Sequence, residues 1–123
     1  MQISEVAQKF GLTTDTLRYY EREGLVGPIF KGKNGIRNYT ESDLQRIQFV
    51  KCMRSAGMEI NLLKQYLKLF EGGDKTLNER RKILVKQREI LKTKLESIQE
   101  AYDKLNYKID LYDKQLLEKD LTK

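Results

Sequence analysis

The strongest constraint on the fold is a set of residues that recurs every seven positions through the C-terminal part of the chain. One series is Leu77, Leu84, Leu91, Ile98, Leu105 and Tyr112. A second series lies four residues after the first and comprises Arg81, Arg88, Leu95, Tyr102, Ile109 and Leu116. Spacings that alternate between four and three residues are typical of the seam of a coiled coil.

This pattern predicts one long helix, because no glycine or proline interrupts residues 74–123. A helix from about Thr76 to Lys119 would be roughly 65 Å long at 1.5 Å per residue. The preceding residues are too few to bury a seam of that length, so a second helix must cover it, and the sequence predicts a homodimer. Arg81 and Arg88 occupy seam positions, which indicates that this end of the helix also contacts something other than the second helix of the dimer. The heptads alone leave the relative orientation of the two helices open.

The first 24 residues predict two short helices joined by a tight turn. The first helix stops at Gly11, and Thr13 is placed to cap a second helix from about Thr14 to Glu23, ended by Gly24. The residues expected to face the core are Val6, Ala7, Phe10, Leu17 and Tyr20. Two short helices joined in this way make a helix-turn-helix candidate, at about residues 4–23.

The next segment predicts a short two-stranded hairpin at about residues 28–39. It is rich in turn formers, and its Asn34-Gly35 pair is a strong hairpin signal. Lys31, Lys33 and Arg37 would lie near its tip. A basic hairpin beside a helix-turn-helix is a wing.

Two further helices are predicted at about residues 41–56 and 59–70. Thr40 would cap the first of them, and acidic residues occupy its first turn, where the helix dipole favours them. The second is expected to bury Ile60, Leu63, Tyr66, Leu67 and Phe70. The predicted domains are therefore a winged helix-turn-helix domain at residues 1–73 and a dimerisation helix at residues 74–123, in a mainly α fold.

Charge and composition favour a polyanion as partner and argue against an enzyme. The net charge is +6, and between positions 16 and 39 the basic residues are opposed only by Glu21 and Glu23. The chain has no histidine and one cysteine, Cys52, so histidine bases, disulfides within the chain and most zinc-site patterns are excluded. No glycine-rich phosphate loop occurs, and we expect no cofactor and no metal.

Hydropathy predicts no membrane partner, because no stretch of about 18 apolar residues occurs. The first residues, "MQISEVAQKF", lack an apolar signal region. A single cysteine fits a reducing compartment. We therefore expect a cytoplasmic protein, associated with the nucleoid if it binds DNA.

The arrangement of these segments resembles the MerR family of bacterial transcription regulators. The resemblance rests on "ISEVAQKFGLTTDTLRYYEREGLV" and, after the basic hairpin, on "GIRNYTESDLQRIQFVKCMRSAGM". It covers residues 1 to about 70 closely, and the long helix is similar in kind to the dimerisation helix of the family. The resemblance implies a winged helix-turn-helix whose two copies are held by an antiparallel coiled coil. It also implies that the homodimer binds a pseudo-palindrome in double-stranded promoter DNA with an overlong spacer. Distortion of that spacer would then act on RNA polymerase indirectly, through the DNA.

Candidate DNA contacts lie at the front of the second helix and on the wing. Thr13 and Thr16 can meet phosphates or base edges, and Arg18 can reach a guanine edge or a phosphate. Tyr19 offers a hydroxyl at the end of a rigid ring, whereas Tyr20 is assigned to the core. The wing residues expected to hold the flanking backbone are Lys31, Lys33, Arg37 and Tyr39.

Cys52, in "FVKCMRSAG", is the candidate sensor. The stretch resembles the thiol-based subgroup of the family, which responds to reactive aldehydes and related electrophiles through one cysteine on the third helix. Lys51 and Arg54 lie beside it in sequence, and nearby cations favour the reactive thiolate. Phe49, Met53 and Ala56 are expected to share its helical face in a packed helix junction. Against this stands the observation that a lone cysteine among apolar residues is commonly an inert small hydrophobe.

Two alternatives remain open on the sequence. One is a regulator that needs no effector, in which Cys52 is structural. The other is a coiled-coil module whose N-terminal domain binds protein rather than DNA, which predicts no sequence-specific DNA binding above background.

Overall fold

The computed structural model describes residues 1–121 and confirms a mainly helical fold with a long C-terminal helix. Its helices are α1 (Ile3–Phe10), α2 (Thr14–Arg22), α3 (Glu41–Ser55), α4 (Ile60–Glu71) and α5 (Leu77–Leu121). A short 3-10 turn, Asp74–Thr76, precedes α5. The described residues contain no regular strand, and Lys31 and Arg37 form an isolated antiparallel bridge.

The turn between α1 and α2 follows from local chemistry. Gly11 closes α1 in the left-handed conformation, with φ of 65°, where glycine carries no steric penalty. The Thr13 side-chain oxygen then accepts a hydrogen bond from the backbone N–H of Thr16 at 3.0 Å, which caps α2. Leu17 and Tyr20 are both buried, as their spacing predicts. These two helices form the helix-turn-helix.

The wing is simpler than the predicted two-stranded hairpin. Its ladder is limited to the Lys31–Arg37 bridge and two flanking hydrogen bonds, from Gly32 N to Ile36 O at 2.9 Å and from Asn38 N to Phe30 O at 2.8 Å. Four of the nine residues from Lys31 to Tyr39 are glycine or asparagine, which favour turns over extended pairing. The segment is therefore a closed turn with one bridge pair rather than two strands.

Thr40 begins α3 with a reciprocal capping box. Thr40 N donates to Asp43 Oδ2 at 2.9 Å, and Asp43 N donates to Thr40 Oγ1 at 3.2 Å. In α4, Leu63 and Leu67 are buried, while Ile60 and Tyr66 are half-buried. The expectation that Phe70 is buried is wrong, because 56% of it is exposed and its ring lies 5.1 Å from the Arg80 guanidinium carbon. The ring therefore makes a cation–π contact at the surface instead of packing in the core.

Contacts divide the chain into two units, Met1–Ile83 and Leu84–Lys123. The first unit encloses one core, formed by Val6, Ala7, Leu17, Tyr20, Leu25, Val26, Ile29, Tyr39, Leu44, Ile47, Val50, Met58, Leu63 and Leu67. The first unit extends past the predicted boundary at residue 73, because the first turns of α5 also make contacts there. Ile83 packs against the core, and Arg80 donates hydrogen bonds to Thr76 Oγ1 and Gly73 O.

An ion pair ties the end of the helix-turn-helix to α4. Lys64 Nζ lies 2.6 Å from Glu23 Oε2. The hydrogen bond from Lys64 holds the pKa of the Glu23 carboxyl below its ordinary value. Because a lowered carboxyl pKa stabilises the folded state above the unfolded pKa, this contribution is present at neutral pH. It is lost as the pH falls through the lowered pKa.

Candidate nucleic-acid interface

The first turn of α2 presents hydroxyl groups at a helix N-terminus. Thr13 and Thr16 are linked through their side-chain oxygens at 2.9 Å, and Thr13 is exposed. Thr13 is the residue that caps the helix, so its oxygen is already engaged with Thr16 N. Free N–H groups and hydroxyls at a helix N-terminus suit a phosphate or a base edge.

Arg18 and Tyr19 follow one turn further along α2. The Arg18 side chain is 49% exposed and pairs with Asp15, with Nη1 and Oδ1 separated by 3.2 Å. A pair this exposed contributes little to stability, so Arg18 can leave Asp15 for a stronger acceptor at small cost. Tyr19 is half-buried, and its ring centroid lies 5.5 Å from the Arg22 guanidinium carbon. The helix therefore exposes the Arg18 guanidinium, whose pair with Asp15 is weak, next to Tyr19, whose ring contacts Arg22.

On the wing, the lysines and the arginine have different surroundings. Lys31 and Lys33 are exposed, and neither has an ion-pair partner among residues 1–121. Arg37, in contrast, donates from Nε to Glu21 Oε2 at 2.9 Å, and both side chains are partly buried. Glu21 also accepts a hydrogen bond from Ile29 N at 3.4 Å. The Glu21 carboxylate thus fastens both ends of the wing to α2.

Glu21 is a residue that reasoning from the sequence overlooked. It stands in a basic segment, residues 16–39, whose other carboxylate is Glu23, and a carboxylate among cations indicates a specific ion pair. The sequence separation of 16 residues between Glu21 and Arg37 hides that pair from local patterns. The consequence for the interface is that Arg37 orients the wing, whereas Lys31 and Lys33 remain available to an anion.

Tyr39 departs from the expectation that it contacts DNA. Only 4% of it is exposed, and its hydroxyl makes no hydrogen bond within the described part of the chain. Burial raises the pKa of this hydroxyl, so it stays neutral. The predicted DNA contact does not agree with this burial. Tyr39 lies in the hydrophobic core together with Ile29. The Tyr39 ring is a core residue that supports the base of the wing.

Cys52 lies on an exposed face of α3, not in a packed junction. The buried residues of this helix, Leu44, Ile47 and Val50, turn its other side to the core. Phe49 and Met53, which were expected to flank the thiol, are partly buried against that core. The thiol instead lines a shallow groove between α1 and α3 with Lys9, Phe10, Gln48, Lys51 and Ser55. Lys51 Nζ donates to the carbonyl of Phe10 and so connects α3 to α1 beside this groove.

Two other kinds of site are absent from the part of the chain that the structure describes. No group of three or more histidine, cysteine, aspartate or glutamate residues there is arranged to hold a metal ion. No helix within residues 1–121 is both long and apolar enough to cross a membrane.

A helix-turn-helix with an exposed hydroxyl-lined N-terminus, an exposed arginine and two wing lysines that have no ion-pair partner among residues 1–121 defines a DNA-binding protein of the winged helix-turn-helix class. Residues 1–69 match the model of the MerR HTH family regulatory protein, and residues 44–107 match the model of the MerR DNA-binding region. The chain belongs to the MerR family of transcriptional regulators.

Individual relatives agree with this assignment. The chain is 50% identical over 91 residues to the HTH-type transcriptional regulator AdhR of Bacillus subtilis, a match that covers 74% of this chain and 65% of AdhR. A 30% identical match to an HTH-type transcriptional regulator of Haemophilus influenzae covers 90% of this chain and 82% of that protein. The named matches are regulators rather than enzymes.

Solved structures place the same fold on DNA in one relative. The crystal structure of HiNmlR, a MerR family regulator lacking the sensor domain and bound to promoter DNA, has a TM-score of 0.85 at 28% identity. It covers 92% of this chain and 86% of that chain. A MerR family chain from Listeria monocytogenes has the same TM-score at 44% identity and covers 95% of this chain and 89% of that chain.

The role of Glu21 can be tested on DNA affinity. We expect Glu21→Ala to weaken binding to promoter DNA about fivefold, because the loss of two hydrogen bonds releases the wing from α2. Titration of labelled operator DNA measures the change. The control is Asp15→Ala, which frees Arg18 without touching the wing and should not weaken binding. If Glu21→Ala tightened binding, Arg37 would be a phosphate ligand that Glu21 holds back, and the positioning role would be wrong.

Proposed function

We propose that this regulator binds a pseudo-palindromic promoter site as a homodimer and activates transcription by distorting an overlong promoter spacer. The observation that carries the proposal is the exposed surface formed by the threonine hydroxyls and Arg18 of α2 and by the lysines of the wing, in a chain whose family is that of DNA-binding regulators. The HiNmlR structure on promoter DNA supports the same mode of binding for this chain.

The seam of α5 supports the homodimer. Between Leu91 and Leu116 the seam side chains are exposed on the single chain, to extents of 39% for Leu91 and 66% for Ile98. The residues in this stretch are Leu91, Leu95, Ile98, Tyr102, Leu105, Ile109, Tyr112 and Leu116. A continuous apolar stripe of this length at heptad spacing calls for a second helix with the same spacing. A second copy of this chain supplies one, and an antiparallel arrangement would put the two DNA-binding units at opposite ends.

The mechanism then acts through the shape of the DNA. Two DNA-binding units at a fixed separation bind two half-sites, and the duplex between them must adapt to that separation. Bending and untwisting cost energy that depends on the sequence between the half-sites. A change in the dimer therefore changes the alignment of the two promoter elements, and RNA polymerase responds to the DNA rather than to the protein.

We further propose that Cys52 senses reactive aldehydes or thiol stress. Its thiol is exposed in a groove with Lys9 and Lys51, where a small electrophile can reach it. The thiolate sulfur would form a carbon–sulfur bond with an aldehyde carbonyl carbon, and the carbonyl oxygen would take up a proton. The added group would lie between α1 and α3 and shift the helix-turn-helix against α3. The similarity of this chain to AdhR supports its assignment to the thiol-based subgroup of the family.

Footprinting on the upstream region of its own gene tests the DNA part of the proposal. We expect the purified protein to protect an inverted repeat between widely spaced promoter elements. Treatment with an aldehyde or diamide should alter cleavage at the centre of the site. Equal retention of random and operator DNA would favour the protein-binding alternative.

Replacement of Cys52 tests the sensor. We expect Cys52→Ser to abolish promoter induction by aldehydes while operator affinity stays unchanged, because the hydroxyl has nearly the shape of the thiol but not its nucleophilicity. A reporter assay with and without aldehyde measures induction. The matched control is Ser55→Ala in the same groove, which should leave induction intact. Full induction of Cys52→Ser would assign the thiol a structural role and leave an effector-independent regulator.

A further inference from the structure

The tip of the wing carries an asparagine that is followed directly by a glycine. Asn34 and Gly35 are both exposed, and Gly35 has a φ of 75°, in the left-handed region that glycine adopts without penalty. A Cβ added at Gly35 would meet no heavy atom within 4 Å apart from its chain neighbours. The turn therefore presents to solvent both a side-chain amide and the main-chain nitrogen that follows it.

One hydrogen bond activates the Asn34 amide, and another restrains the Gly35 nitrogen. The N–H of Ile36 donates to Asn34 Oδ1 at 3.2 Å, which withdraws electron density from Cγ and places a donor where negative charge develops during attack on that carbon. The N–H of Gly35 donates to Gly32 O at 2.9 Å, so the turn must open there before the nitrogen attacks. Because the wing has one bridge pair, this opening is local and costs less than unfolding of the core.

The other asparagines lack this combination. All of them are exposed, so exposure alone does not distinguish Asn34; they are Asn38, Asn61, Asn78 and Asn106. Each precedes a residue that carries a side chain, and a side chain there crowds the approach of the nitrogen to the amide carbon. Asn61 and Asn106 also lie within helices, where the backbone holds a fixed conformation.

We propose that Asn34 is a site of spontaneous deamidation, which adds a carboxylate to the wing and weakens DNA binding. The modification stands on the geometry of the turn, whereas its effect on DNA rests on the proposed function. Asparagine is one of the thermally labile residues, and water is the only co-reactant that its deamidation needs.

The reaction has two balanced steps. In the first, the Gly35 nitrogen loses its proton and forms a bond to Asn34 Cγ, while the Cγ–Nδ2 bond breaks and ammonia leaves. In the second, water adds to one carbonyl carbon of the resulting five-membered imide and opens the ring. Cleavage of the bond between the nitrogen and Cγ gives aspartate. Cleavage of the bond between the nitrogen and the main-chain carbonyl carbon gives isoaspartate, and neither route oxidises or reduces the chain.

Both products introduce a negative charge next to Lys33 in the chain. Lys31 and Lys33 are exposed and have no ion-pair partner among residues 1–121. The new carboxylate is ionised at neutral pH and removes one unit from the net charge of +6. It competes with DNA phosphates for the wing lysines. Isoaspartate also lengthens the main chain between Gly32 and Ile36, which breaks the register of their 2.9 Å hydrogen bond.

Ageing of the purified full chain in warm, mildly alkaline buffer tests the modification site. Peptide mass mapping detects the gain of about one mass unit at each asparagine. We expect Asn34 to convert at least about tenfold faster than Asn106, which is also exposed but lies within α5. Equal rates at these two positions, or an unmodified Asn34, would overturn the proposal.

The effect on DNA is measured with a duplex that the fresh wild-type protein enriches from a random-sequence pool. Asn34→Asp should bind it about fivefold more weakly than the fresh wild-type protein, and aged wild-type protein should lose affinity in proportion to its conversion. The matched control is Asn34→Ser, whose hydroxyl oxygen can accept from the Ile36 N–H but whose side chain cannot form the imide. Its affinity should not change on ageing.

Two results would contradict the effect on DNA: wild-type affinity of Asn34→Asp, or an equal loss of affinity in aged Asn34→Ser and aged wild-type protein. If the fresh wild-type protein enriches no sequence and binds no duplex, the proposed function fails. The mass map then still decides whether Asn34 is modified, so the two failures are distinguishable.

Discussion

Ile98→Glu is expected to convert the protein to a monomer and to weaken operator binding about a hundredfold or more. Ile98 lies at a seam position of α5 and is 66% exposed on the single chain. In a paired coiled coil this side chain would be buried against the other helix, so a carboxylate there is left without water or a partner. Loss of the dimer removes the high effective concentration of the second DNA-binding unit. Analytical ultracentrifugation measures the assembly, and operator titration measures the affinity.

The matched control is Tyr107→Glu. Tyr107 is on the same helix and is also 66% exposed, but it lies off the heptad series. The same charge is introduced at the same exposure, so a general effect of charge on α5 would appear in both variants. We expect Tyr107→Glu to remain dimeric and to bind normally. A dimeric Ile98→Glu, or dissociation of both variants, would contradict the heptad seam as the interface.

Arg18→Ala is the second large effect, with an expected loss of about thirtyfold in operator affinity. The Arg18 guanidinium is exposed on α2 and forms a surface pair with Asp15. Transfer to a base edge or a phosphate exchanges this weak pair for a charge-assisted hydrogen bond. Fluorescence titrations with the operator and with a mutated operator measure the loss and separate specific from non-specific binding.

Two further variants identify what Arg18 contacts. Arg18→Lys keeps the charge but lacks the planar fork of donors, so it rescues a phosphate contact and fails to rescue a bidentate guanine contact. Lys68→Ala removes one positive charge from α4, where it is exposed, and serves as the control for the overall field. Comparable losses from Lys68→Ala and Arg18→Ala would mean that α2 has no special role in recognition.

Local patterns in the sequence predict much of this fold. Thr13 and Thr40 cap the helices that they were expected to cap, because a cap depends on residues three positions apart. Leu17 and Tyr20 are buried as their spacing requires. The uninterrupted heptads predict a single helix through the C-terminal part, and α5 runs from Leu77 to Leu121. In each case the determining interaction lies within a few residues along the chain.

Predictions about which side chains are buried, and about contacts between residues distant in sequence, were less successful. Phe70 was expected to be buried, but Arg80 lies beside its exposed ring. Cys52 was expected in a packed junction, but it faces a groove between α1 and α3. Tyr39 was expected at DNA, but its ring completes the core. Each outcome depends on a neighbour far away in sequence, and composition and spacing do not identify that neighbour.

The chain by itself therefore determined its helices, its turns, its basic segment and the heptad stripe, since propensity, capping and periodicity are properties of neighbouring residues. The tertiary structure decided which cations are free to bind an anion. Glu21 forms an ion pair with Arg37, whereas Lys31 and Lys33 stay exposed. That choice needs two side chains brought together by the turn of the wing against α2, and such long-range pairing exists only once the core has formed.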